Sequence, residues 1–275
     1  MPERGDAVWE RIAAALERLA PPPPAPVDWL SAPAYWWDGR QAAAVAELNA
    51  LPLARLVGVE AQKAAVRANL ERLATGAAAQ DMLLWGARGM GKSALVRAAL
   101  ADVAQRQPGR IALVQMAGGS LASFPALIGQ LAGQRRAFLL FIDDLGFGAD
   151  GKAENLALRS LLDGGIIPRP DHVRIAVTSN RRGIVSRSPD ENAALHERDE
   201  RDDALALADR FGLTLAFHPA DRETYLAMIR SHVAGHGLAF DEEEAMAFAI
   251  QRGNRSGRTA LQFATELAGA AGIRL

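Results

Sequence analysis

Gly86-Ala87-Arg88-Gly89-Met90-Gly91-Lys92-Ser93 fits the spacing G-x-x-x-x-G-K-[ST] at every fixed position. An apolar run, Met82-Leu83-Leu84-Trp85, precedes it, and a helix-like stretch, Ala94-Leu95-Val96-Arg97-Ala98-Ala99-Leu100, follows. Strand, glycine-rich turn and helix in that order point backbone N–H groups and the positive helix end at one spot. Anionic phosphate oxygens are what such a spot attracts. At this composition the pattern arises by accident roughly once per thousand such chains, before strand and helix context is required. The lysine adds weight, because lysines number only three (Lys63, Lys92, Lys152) among 31 basic residues. A compact ammonium fits between β- and γ-phosphates where a planar guanidinium would not. A bound nucleoside triphosphate is the expectation, held by Gly86 to Ser93.

Composition sets the frame around that loop. With 275 residues, 49% of them apolar, the chain can build one large domain or two smaller ones. A formal net charge of −1 speaks against a dedicated nucleic-acid binder, although a local basic face stays open. There is no cysteine, so disulfides and thiolate metal sites are excluded. No apolar run reaches the ~18 residues a membrane-spanning helix needs, and no secretory h-region stands at the N-terminus. A cytoplasmic protein without membrane contact is expected.

The pattern along the chain divides it into three parts: 1–50, 51–218 and 219–275. Residues 6–20 form an amphipathic helix pattern, with Val8, Ile12, Leu16 and Leu19 on one stripe. Pro21-Pro22-Pro23-Pro24-Ala25-Pro26 then reads as a stiff extended spacer. Trp29, Tyr35, Trp36 and Trp37 follow, either packing the arm onto the main domain or forming a partner-binding patch. A helix is expected over 41–49, completing a helical N-terminal arm. From Leu56, five apolar strand candidates alternate with helices: Met82–Trp85, Ile111–Met116, Ala137–Ile142, Val173–Ser179 and Leu213–Phe217. Such alternation implies an α/β fold, a five-stranded parallel sheet covered on both faces, with ligands at the carboxyl ends of the strands. After Phe217 the strands stop and three helical patterns remain, 221–236, 241–251 and 258–270, a small all-α lid. Asp241 and Glu244 have the spacing of a capping box. The charge-dense run 186–203 reads as a solvated loop.

A triphosphate site needs a metal holder, because Mg²⁺ bridges the β- and γ-phosphates. Ser93 offers a hydroxyl. Phe138-Leu139-Leu140-Phe141-Ile142-Asp143-Asp144 ends a buried strand in two carboxylates, a costly position unless a site uses it. Asp143 is the expected metal carboxylate with Ser93. Asp144 is the candidate to orient or deprotonate attacking water, or else a cap of the next turn. Asn180, at the tip of the strand Val173–Ser179, can reach the γ-phosphate or the water; otherwise it is a turn residue. Arg210 and Arg258 could touch a γ-phosphate from a distance, or merely pair with a carboxylate.

The order of these elements resembles the AAA+ ATPases from about Leu56 to the C-terminus, within the P-loop NTPases and their three-layer αβα core. Leu56-Val57-Gly58-Val59-Glu60 looks like the segment that contacts adenine, with Leu56 and Val57 as the contacting residues. Gly86–Ser93 resembles Walker A, Phe138–Asp144 Walker B, Asn180 sensor 1, Arg210 the arginine finger and Arg258 sensor 2 of the lid. Four runs are further similar to one bacterial group of ATPases of unknown function, catalogued as DUF eight-fifteen: 83–89, 178–182, 208–212 and 253–260. The resemblance implies ATP and Mg²⁺ as ligands, and a homo-oligomeric ring or open spiral in which Arg210 acts on the next subunit's nucleotide. Arg181 and Arg182 are rivals for that role. The pair Asp143-Asp144 replaces the family's commoner Asp-Glu, which implies slow or partner-stimulated hydrolysis. The segment 117–124 lacks the aromatic–aliphatic–glycine pore loop of protein-threading members.

The resulting expectation is an ATPase that switches or remodels an unidentified protein client. A DNA-linked helper of the helicase-loader or transposition-helper type is the alternative, as Ile142-Asp143-Asp144-Leu145-Gly146 also occurs there. A binding switch that does not hydrolyse ATP is a third reading. A metabolic P-loop kinase is the least favoured, having no role for a helical lid or Asn180.

Overall fold

The computed structural model describes residues 3–19, 27–146, 152–164, 168–180 and 206–275. The runs 21–26 and 186–203, and Arg181 and Arg182, lie outside the described residues.

The five expected strands form within a residue of the expected bounds. They are β3 (Met82–Gly86), β4 (Ile111–Met116), β5 (Ala137–Ile142), β6 (Val173–Ser179) and β7 (Leu213–Phe217). All pair in parallel, in the order β4-β5-β6-β3-β7. The sheet is larger than expected. β1 (Ala34–Trp37) adds in parallel to β4, and β2 (Ala42–Val45) closes an antiparallel hairpin on β1, so the sheet has seven strands among the described residues. A helix expected over 41–49 is therefore absent, and the strand β2 stands in its place. The short run Ala42-Ala43-Ala44-Val45 has helical propensity, but the edge of β1 offers a ladder of backbone hydrogen bonds, and tertiary pairing overrides propensity.

Helices cover both faces. Alternate side chains of β3 diverge, Met82 and Leu84 to one core and Leu83 to the other. The first core packs α2 (Glu60–Thr75), α3 (Lys92–Arg106) and the lid against the sheet through Leu70, Leu95, Leu100, Tyr225, Ile229 and Phe263. The second holds α4 (Phe124–Leu131) and α5 (Lys152–Leu162) through Phe124, Leu127 and Leu158. Trp29, Tyr35 and Trp37 join this second core, each at most 3% exposed. The Trp37 indole N–H donates to Ser123 Oγ at 2.7 Å. The aromatic cluster thus serves packing, except Trp36, which is 42% exposed. The amphipathic helix α1 (Glu3–Leu19) leaves Val8, Trp9, Ile12 and Leu16 exposed.

The lid consists of α6 (Arg222–Val233), α7 (Glu242–Gln251) and α8 (Gly257–Ala270). Each starts on a side-chain cap: Asp221 accepts from Thr224 N, Asp241 from Glu243 N and Glu244 N, and Ser256 from Thr259 N. No described helix is long and apolar enough to cross a membrane.

Candidate functional site

At the carboxyl ends of β3, β5 and β6 the chain opens a cleft of about 710 Å³. The glycine-rich loop forms its floor. Gly86 has φ 119°, and a Cβ there would stand 2.2 Å from Phe217 O. A glycine is needed because β7 is drawn against the loop, with Ala87 N donating to Phe217 O at 2.8 Å. Gly89, at φ 77°, is pressed instead by the lid: a Cβ would meet Ser256 Oγ at 2.8 Å, and Arg258 N donates to Gly89 O at 3.1 Å. The loop therefore touches both the sheet and the lid.

Lys92 begins α3 and is 5% exposed. Its ammonium donates to Gly86 O (3.0 Å), Ala87 O (2.9 Å) and Asn180 Oδ1 (2.9 Å). Burial pushes its pKa down, while the Asp144 and Asp143 carboxylates push it up. Ser93 Oγ donates to Asp143 Oδ1. Thr178 Oγ1 donates to the same oxygen at 2.6 Å and accepts from Asp144 N at 2.8 Å. Asn180 Nδ2 donates to the Asp144 carboxylate. Asp144 has φ 58°, the one non-glycine residue with positive φ among those described. A non-glycine residue held there costs of order 1–3 kcal/mol, which the Thr178 and Asn180 contacts offset. Asp144 is clamped by Thr178 and Asn180 at the cleft.

The cleft is lined by Arg88, Gly89, Met90, Gly91, Lys92, Ser93, Asp143, Asp144, Asn180 and Arg258, and by Leu56 and Val57 at its far end. The structure therefore gathers the expected residues around one space, save three. Gly86 and Ala87 lie beneath it and offer their carbonyls to Lys92. Arg210 stands apart, outside the cleft, donating to the Asp163 carboxylate and to Ala206 O. For Mg²⁺ the fit is good. The Ser93 hydroxyl and Asp143 carboxylate already converge, and a hard cation that keeps several waters needs only one or two protein ligands beside phosphate oxygens. No cluster of three or more His, Cys, Asp or Glu residues able to hold a metal occurs among the described residues.

Among the lining residues that the sequence did not point to are Thr178, Trp36, Glu47 and His232. Thr178 carried a signal, a hydroxyl late in a buried strand. Trp36 and Glu47 come from the β-hairpin and the segment after it, and nothing in the spacing put them there. His232, on α6, is 9% exposed; burial first, and then the Arg55 charge, hold its pKa below the ordinary imidazole value.

The fold has counterparts among solved structures. RuvB, the Holliday junction branch migration motor of Thermotoga maritima, aligns at TM-score 0.50 and 18% identity over 82% of this chain and 68% of that one. The Aeropyrum pernix Orc1 protein in complex with DNA aligns at 0.57 and 16%, over 80% and 62%. The FIGL-1 AAA domain in complex with ADP aligns at 0.50 and 16%, over 81% and 75%. No curated relative matches the sequence. With the strand order and the cleft, these likenesses define the fold class, that of the AAA+ P-loop domains. Within that class, the model of the family described as "Protein of unknown function (DUF815)" matches residues 31–271, and the chain belongs to that family.

Proposed function

We propose that this protein binds ATP with Mg²⁺ and hydrolyses it at the interface between subunits, using the cycle to switch or remodel a protein client. The nucleotide-binding domain is 51–218 and the lid 219–275. One observation carries the reading: a single polar network, Lys92–Asn180–Asp144 and Ser93–Asp143–Thr178, joins the tips of the two buried strands β5 and β6 to the start of α3.

Each member of that network has a task. Lys92 meets the β- and γ-phosphates, exchanging carbonyl acceptors for phosphate oxygens. The N–H groups of Gly89 to Ser93 cradle the β-phosphate. Ser93 and Asp143 hold Mg²⁺, which when bound neutralises charge on the β- and γ-phosphates. Leu56 and Val57 face the base. Asn180, anchored to Lys92 on one side, holds Asp144 where its carboxylate can orient attacking water and take its proton. Arg258 reaches the phosphates from the lid, and its backbone contact with Gly89 makes the lid angle sensitive to what the loop holds. Arg210, outside its own cleft, is available to a neighbouring subunit's nucleotide. An arginine supplied that way is worth about 10³–10⁵ in rate where it has been measured.

Turnover by purified protein, compared with Lys92→Ala, tests the reading. Magnesium-dependent phosphate release that vanishes in the variant is expected. Tight ATP retention without release would leave only a binding switch.

A further inference from the structure

A second cavity of about 930 Å³ lies on the other side of the loop, between it and the lid. Four arginines line it, Arg88, Arg252, Arg255 and Arg258, all exposed. No carboxylate is among its lining residues. In a chain whose charges nearly cancel, four guanidinium groups make this cavity basic, with Glu266 near Arg252 and Asp221 interacting with Arg255 outside its lining. Arg252 rests 5.0 Å over the Phe248 ring and 3.6 Å from Glu266, a contact loose enough to leave donors for another anion. Arg88 and Arg258 belong to the wall shared with the nucleotide cleft; Arg252 and Arg255 do not.

Two further features choose among anions. Ile250 lines the cavity and is 76% exposed, the most exposed large aliphatic side chain described. Asn254 and Gln262 add amide donors and acceptors suited to a peptide backbone. No aromatic ring lines the cavity, so the stacking platform that single-stranded nucleic acids use is missing. A phosphodiester chain would find charge here and leave Ile250 uncovered.

We infer that this cavity docks an acidic segment of a partner protein, with carboxylates forked by Arg252 and Arg255 and an aliphatic side chain against Ile250. Guanidinium–carboxylate forks give geometry as well as attraction. The site adds a client-binding surface to the ATPase and stands whether or not ATP is hydrolysed.

Fluorescence anisotropy tests it on the full chain, with a labelled 14-residue peptide of glutamates interrupted by leucines. Controls are the same peptide with serine for leucine, and a single-stranded DNA oligonucleotide of equal charge. Binding that weakens at least tenfold in Arg255→Glu, at least threefold in Ile250→Ser, and with the serine peptide is expected. Arg255 and Ile250 are exposed surface residues, and binding of a fluorescent ATP analogue by each variant confirms that it is folded. Should Arg255→Glu leave peptide binding unchanged, should DNA bind more tightly than the leucine peptide, or should the variants alter only self-association, the inference is overturned. Loss of ATP binding in every protein, wild type included, would instead strike the ATPase reading alone.

Discussion

Asn180 bridges Lys92 and Asp144: its Oδ1 accepts from the lysine ammonium at 2.9 Å while its Nδ2 donates to the carboxylate. One side-chain amide thus fixes the Lys92 ammonium relative to the Asp144 carboxylate. An amide accepts from an ammonium through its oxygen and donates to a carboxylate through its nitrogen, so the two partners are held on separate atoms. Asn180→Ala is expected to lower ATP turnover by about 10²-fold or more, within the range for positioned acid–base groups. Affinity for ATP should change far less, because the glycine-rich loop still cradles the phosphates. Steady-state turnover with titration of a fluorescent ATP analogue separates the two. Equal loss in both would show that Asn180 only supports the loop.

Gly86 and Gly89 should fail differently on substitution. Gly86→Ala drives a methyl group into Phe217 O at a backbone angle that L-residues avoid, and should cost at least ~3 kcal/mol of stability by denaturant unfolding. Gly89→Ala meets the Ser256 hydroxyl, which belongs to the lid and can retreat with it. That variant should keep more of its stability and lose nucleotide affinity, as lid and loop part. Equal behaviour would contradict the separate sheet-side and lid-side contacts.

Trp37 ties the N-terminal hairpin to the core. The side chain is fully buried and donates to Ser123, so Trp37→Ala should cost about 3–5 kcal/mol, whereas Trp36→Ala, half-exposed at the cleft, should cost much less. Denaturation midpoints of the two variants check this.

His232 gives a pH signature. Its folded pKa lies below the ordinary 6.5 because of burial, with the Arg55 charge second. Below pH 6.5 the unfolded chain binds a proton that the folded chain resists, so stability falls as pH drops through that window and is unaffected above it. The slope from this one group cannot exceed about 1.4 kcal/mol per pH unit. His232→Gln should flatten the acid limb between about pH 6.5 and 5 relative to wild type, while the curves run parallel at pH 8.

Much of this architecture was legible because buried parallel strands are continuous apolar runs with sharp polar ends. Ile111–Met116, Ala137–Ile142, Val173–Ser179 and Leu213–Phe217 form as their composition implies. Strand ends are also where the site sits, so Asp143 and Asn180 could be placed before any contact was known. Ala42–Val45 was not legible, since four small residues carry no period, and pairing with β1 decided their conformation. Trp36 and His232 escaped for another reason: they enter the cleft from elements distant in sequence. The opposing arginines were legible only in part. Arg258 sits on a helix that touches the loop, but Arg210 lies outside the cleft, bonded to Asp163 and Ala206.

The central claim is hydrolysis shared between subunits, and the most direct measurement is ATP turnover per subunit as a function of protein concentration, for wild type, Arg210→Ala and an equimolar mixture with Lys92→Ala. Turnover per subunit should rise steeply with concentration, and Arg210→Ala should abolish the rise while ATP still binds. Mixing should restore activity, because the Lys92→Ala subunit lends its Arg210 to the intact cleft of its neighbour. Turnover independent of concentration, unchanged in Arg210→Ala, would contradict the account.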